Sequence, residues 1–249
     1  MVRKLGLFLI LGMILSCARE AAAGDVRVIN GPNRAALVEL FSSEGCATCP
    51  QADAWFSGLV PSKGLWKDYV PLVFHVTYWD DLGWKDVLAK PAYTDRQRAY
   101  AAAWGQPNVY TPGVALNGKE WRHWPSVQAP PAASGKGGTL SATSTDGLVF
   151  HVRYDPAARI WYTARVFGAL LGFGIEHDVD SGENTGKRLK HDFVVLDLKA
   201  ADLKLVSGGF EADLHFKAPA EMPAKTGVAF WVLEGESLEP LQAAGGFAS

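Results

Sequence analysis

Cys46 and Cys49 are separated by two residues and directly follow the apolar run Ala35-Ala36-Leu37-Val38-Glu39-Leu40-Phe41. Two thiols at this spacing can close an internal disulfide and open it again. The run before them reads as a buried strand. Thr48-Cys49-Pro50-Gln51 reads as a capping box that opens a helix, with Pro50 in the first turn where its missing N–H costs little. A thiol at a helix N-terminus feels the positive end of the macrodipole, which lowers its pKa and favours the reactive thiolate. Three chemistries fit the pair: thiol–disulfide exchange, a permanent structural bond, or metal binding. A disulfide that closes four residues removes roughly 2 kcal/mol of chain entropy, against about 3 for a fifteen-residue loop. It is a poor staple, so exchange is the preferred reading. His123 with the two thiols could complete a copper or zinc site, the weakest of the three readings, and no metal ligands are assigned.

Other residues could serve this pair. By strand alternation Glu39 shares a face with Leu37 and Phe41, which implies burial. A buried acid lacking a Lys or Arg partner would exchange protons near neutral pH. Tyr78, Trp79 and Trp84, beside Asp80-Asp81 at a strand end, could line a cleft near the dithiol and bind substrate. His75 reads as an ordinary strand histidine. His177, Asp178, Asp180 and Glu183 could gather a cation, but carboxylates in a turn-rich stretch are usually just solvated.

The elements that must position these residues fall in a chain of 249 residues with 48% apolar content and a net charge of −2. No basic run is present, which argues against a nucleic-acid partner. Arg3-Lys4 followed by an apolar stretch to Leu15 reads as an export signal, too short to span a bilayer. Ala21-Ala22-Ala23 fits cleavage, and Ile14-Leu15-Ser16-Cys17 fits a lipoprotein box with a lipid anchor on Cys17. The expected location is therefore periplasmic or membrane-anchored. Once Cys17 is removed or lipidated, Cys46 and Cys49 are the remaining pair, and outside the cytosol it can persist oxidised.

Residues 1–23 are taken as the export segment and 25–124 as a first domain. In the first domain, residues 37–41 and 71–78 are expected strands, the second read as a buried parallel strand. A helix is expected over 94–104, and a hairpin at Asn117-Gly118. Residues 125–138, with Pro130-Pro131 and several glycines, read as a linker. Residues 139–249 carry short strands near 148–154, 160–167, 193–198, 209–216 and 228–233, which suggest a sandwich-like β domain.

The order strand, CxxC, helix, strand, helix, then Thr111-Pro112 before a hairpin is similar to the thioredoxin fold. Phe41-Ser42-Ser43-Glu44-Gly45-Cys46-Ala47-Thr48-Cys49-Pro50-Gln51-Ala52-Asp53 resembles, more narrowly, a family of secreted thioredoxin-like proteins of unknown function. Tyr78–Asp86, Tyr110-Thr111-Pro112, the Gly182–Gly186 turn and His191 fit the same likeness. The resemblance implies an α/β thioredoxin-like domain followed by the β domain. It implies Cys46 as attacking thiol, Cys49 as resolving thiol and Glu39 as proton acceptor for Cys49. It also implies Pro112 as a cis-proline and Thr111 as a backbone contact for a client. Such an oxidoreductase needs no cofactor. Its partners would be a client protein or small thiol or disulfide, together with a redox partner that the sequence does not name. The alternative is a non-catalytic binding module with a structural Cys46–Cys49 disulfide.

Overall fold

In the computed structural model, which describes residues 25–248, alternating apolar residues build sheets rather than helices. In chain order the elements are β1 (Val26–Asn30), β2 (Ala36–Ser42), α1 (Cys49–Ser57), β3 (Tyr69–His75), α2 (Pro91–Ala103), β4 (Gly113–Leu116) and β5 (Lys119–Glu120). Then follow β6 (Thr139–Ser144), β7 (Val149–Asp155), β8 (Ala164–Phe173), β9 (Ile175–Val179), β10 (Lys187–His191), β11 (Val194–Asp202), β12 (Lys204–Val206), β13 (Gly209–His215), β14 (Lys225–Glu234) and β15 (Gln242–Phe247). The export signal and Cys17 lie outside the described residues.

One sheet of eight strands runs β15-β14-β8-β11-β3-β2-β4-β5, and a five-stranded sheet runs β1-β6-β7-β13-β12. Strand β2 is parallel to β3 and antiparallel to β4. The expected α/β domain followed by a separate β domain is thus corrected: the described residues are mostly strand, with two α-helices. Strands from both halves share one sheet, and no α/β thioredoxin-like arrangement stands apart. The cause is non-local pairing. Strand β11 joins β3 at Val194 and Val73, and β1 pairs along its length with β6. Neither pairing leaves a trace in local periodicity.

Alternation sorts β8 and β14 between two cores. Val166, Leu170, Val228, Phe230 and Val232 face the five-stranded sheet and meet Val28, Leu140, Phe150 and Val152. Ala169, Leu171, Phe173, Ala229 and Trp231 face the other way and join Phe41, Phe74, Tyr93 and Phe193. The stretch read as a linker begins with a short 3-10 turn, Trp124–Ser126. It then runs beside the segment between β1 and β2, where the backbone of Arg34 donates to Gly135 and that of Gly137 to Pro32.

Candidate functional site

The chain leaves β2 at Ser42, turns through Ser43-Glu44-Gly45, and enters α1 at Cys49. Cys46 and Cys49 form a disulfide with their Cα atoms 5.4 Å apart. Pro50 occupies the first turn as expected, but the capping box does not form. Thr48 is in the right-handed helical region, and its side chain makes no cap hydrogen bond. Its hydroxyl instead lies 3.4 Å from Cys46 Sγ. Both cysteines are buried, Cys46 being 1% exposed.

The cover comes from the β9–β10 hairpin. Asn184, at its turn, is itself fully buried. Its Nδ2 donates to the carbonyls of Glu44 at 2.8 Å and Cys46 at 2.9 Å. Glu183 Oε2 accepts the Ala47 N–H at 2.9 Å. Ser181 Oγ donates to the carbonyl of Gly83, fixing the turn to the β3–α2 loop.

Beneath this cover lies a cluster of buried ionisable groups. Glu44 Oε1 stands 2.6 Å from His177 Nδ1 and 3.2 Å from His191 Nε2, and Trp84 Nε1 donates to Glu44 Oε2 at 2.9 Å. The Glu44 N–H donates to Asp86 Oδ2, which is 2.6 Å from His75 Nδ1. The rings of His75 and His191 meet edge to face, 4.9 Å between centroids. His191 Nδ1 makes an ion-pair contact of 3.4 Å with Asp53 Oδ2, and Ser42 Oγ donates to the same oxygen at 3.2 Å. Among the described residues, Asp53 Oδ1, His75 Nε2 and His191 Nδ1 are buried without a hydrogen bond.

Burial disfavours the charged form of His191, but Asp53 and Glu44 beside it outweigh this and hold its imidazole up to about 10. Burial pushes Glu44 up, and the hydrogen bonds from His191, Trp84 and His177 overcome that, so its carboxyl is lowered. Asp86 is likewise raised by burial but held at about 2 by His75. The carboxylates of Glu44 and Asp86 and the imidazolium of His191 are thereby favoured in their charged forms inside the protein.

Several expected site residues gather around the dithiol loop. Trp79 packs so closely on Gly45 that a Cβ there would come within 3.1 Å of it. Trp79 Nε1 also donates to Thr111 Oγ1 at 2.8 Å. Tyr78 OH donates to Gln97, whose amide donates to the carbonyl of Tyr110. The Thr111–Pro112 peptide is cis, and Pro112 lines a groove of about 310 Å³ with Tyr110, Trp121 and Trp124. Trp84 joins the cluster through Glu44.

Glu39 is placed elsewhere. It is buried, but Arg96 Nε of α2 donates to it at 2.6 Å and Tyr100 OH donates as well. It differs by an odd number from Ser42, which faces Asp53 on α1, so Glu39 faces the opposite side of the sheet. His123 is exposed before a 3-10 turn. Among the described residues no group of three or more His, Cys, Asp or Glu is arranged to hold a metal ion.

Sequence reading did not assign roles to Glu44, Asp53, Asp86 or Asn184. One usable signal was present: Cys49 and Asp53 are four apart, hence on one helix face. The β9–β10 cover brings residues 177–191 onto residues 44–53, and no local pattern shows that.

A family of proteins of unknown function, DUF1223, matches residues 37–233. The chain belongs to the DUF1223 family. The crystal structure of protein AGR_C_4864 from Agrobacterium tumefaciens is similar, with a TM-score of 0.56 at 23% identity over 85% of this chain and 92% of that one. HBP35 of Porphyromonas gingivalis is similar at the same TM-score with 13% identity, over 87% of this chain and 76% of that one. At these identities the likeness concerns the fold alone. No curated protein matches the chain.

Proposed function

We propose that this DUF1223 protein is an exported thiol–disulfide exchange protein whose reacting pair is Cys46 and Cys49. The observation that carries the reading is the buried set of Glu44, Asp53, Asp86, His75 and His191 built around the residues that hold the pair. Burying charges costs several kcal/mol per ion in effective desolvation, and a structural staple has no use for them. Buried ionisable groups in mutual contact are what thiol chemistry needs. The position of Cys49 at the first turn of α1 adds the helix dipole in favour of thiolate.

In this reading a client thiolate attacks Cys46, and Cys49 is released as the second thiol. The client is a protein or a small thiol, and a second dithiol or disulfide resets the pair. Because Cys46 is covered, exchange requires the turn at Asn184 to lift. Trp79, which packs on Gly45 and donates to Thr111, then lies beside the exposed pair.

That same burial favours a second reading, a non-catalytic binding module with a permanent disulfide. The reduction potential separates the two. Equilibration with glutathione, read by thiol-trapping mass, is expected to give a value above about −270 mV. A value well below about −300 mV, with C46S lowering the melting temperature and nothing else, would establish the structural bond instead.

A further inference from the structure

We propose that Asp53, acting with His191, is the proton-handling pair for Cys49, an inference that rests on the exchange reading above. Cys49 and Asp53 are one turn apart on the buried face of α1, a spacing that sets Cβ atoms about 5–6 Å apart. Asp53 Oδ2 is held by Ser42 of β2 and by His191 of β10, while Asp53 Oδ1 accepts no hydrogen bond among the described residues. His191 is held at its far nitrogen by Glu44, which His177 of β9 also contacts, and its ring meets that of His75 of β3 edge to face. Asp53 Oδ1 and His191 Nδ1 are themselves buried, but a cleft comes up to the pair. Asp53 and His191 line a cleft of about 310 Å³ between α1 and β10, with Pro50 and Ser57 on one side and the exposed Arg188 and Lys190 at its rim. In this proposal a proton passes between the cleft and Cys49 through the pair, by breathing between α1 and β10, and does not cross the covered face of Cys46.

The step balances as follows. A client thiolate attacks Cys46 Sγ, and the Cys46–Cys49 bond breaks with its electron pair on Cys49. The Cys49 thiolate takes a proton from His191 Nδ1, relayed through the Asp53 carboxylate. A second client thiolate then attacks the client sulfur of the mixed disulfide and releases Cys46 as thiolate. The client dithiol, having given its two protons to solvent, loses two electrons to the pair, and His191 is reprotonated from the cleft. In reverse, the same path removes the Cys49 proton while a client disulfide is reduced.

The test uses the full exported chain and glutathione as the attacking thiol, at concentrations where the rate stays proportional to glutathione. The rate of opening of the Cys46–Cys49 bond, divided by the glutathione thiolate fraction, is followed from pH 6 to 10. In the wild type it is expected to fall as the pair loses its proton. D53N and H191Q should be slower by about 100-fold, the low end for general acid catalysis, and flat with pH. D53E should recover part of the rate. A folded D53N with the wild-type rate and pH profile overturns the inference while leaving exchange intact. If D53N does not fold, H191Q carries the same comparison. A wild-type bond that glutathione does not open at any pH overturns the exchange reading and this inference with it.

Discussion

His191 stands between two carboxylates, and its protonation decides whether the cluster holds net attraction or repulsion. Its folded-state pKa is raised above the ordinary histidine value, so its contribution to stability is present in full below about 6.5. That contribution is lost as pH rises toward about 10. The melting temperature is therefore expected to decline across this window, and the decline should be much smaller in H191Q. A wild type and H191Q with parallel pH profiles would mean that the imidazolium is not what couples the cluster. Asp86 works in the other direction. Its pKa is depressed to about 2, so the stability it contributes is present above about 3.8, the ordinary carboxylate value. That stability goes as pH falls toward 2. D86N should flatten the acid limb of the same melting curve and leave the alkaline limb in place.

Hairpin β9–β10 is the element that turns this cluster into a covered site. It carries His177, His191 and, at its turn, Asn184, whose two amide protons both serve carbonyls of the dithiol loop. In N184A those carbonyls lose buried partners, at a cost of about 1–3 kcal/mol. If the cost falls on the closed state, the turn opens about 10- to 100-fold more often. Trapping of the Cys46–Cys49 pair by a small thiol should accelerate by that factor. An unchanged trapping rate in N184A would show that another element controls access. The same hairpin shows where sequence reading stops. The disulfide pair, the helix after it with Pro50 in its first turn, the buried run before it and the turn at Asn117-Gly118 follow from spacing and residue type alone. Asn117 and Gly118 indeed both have positive φ, as a two-residue hairpin turn requires. Hairpin β9–β10 is different: residues 175–179 read Ile-Glu-His-Asp-Val, and what the hairpin packs on is the distant loop at 44–46. Only the folded chain shows that Glu44 is a buried acid, since nothing in Ser43-Glu44-Gly45 marks it off from a solvated turn.

At the scale of the whole molecule, an ion pair within the first half of the chain is walled by rings from both halves. Arg96 of α2 donates to Glu39 of β2, and its guanidinium lies 5.0 Å from the Trp231 ring, 5.6 Å from that of Phe167 and 5.5 Å from that of Phe74. These rings come from β14, β8 and β3, so residues read as two domains close around one buried charge. The β3–β11 junction itself is narrow, with Val194 opposite Val73 as its one register pair and the Val73 N–H donating to the carbonyl of Phe193. Side-chain packing therefore carries the joint: Tyr93 OH donates to the carbonyl of Val195, and Trp66 packs on Phe173, Phe193 and Phe247. Replacing Arg96 with Met fills the aromatic cage but leaves Glu39 buried and unpaired, a change that costs about 3–5 kcal/mol. Because the cage spans both halves, the loss should lower one cooperative transition rather than melt one half first. Far-UV circular dichroism and tryptophan fluorescence should give coincident melting curves in wild type and R96M alike, displaced together. A fragment of residues 25–124 should show no cooperative transition, since it keeps Glu39 and Arg96 but loses the Trp231 and Phe167 walls, and with them the faces that Tyr93 and Trp66 bury. Two separated transitions in R96M, or protected β2 and β3 amides in the isolated fragment, would show instead that the first half folds as a unit of its own.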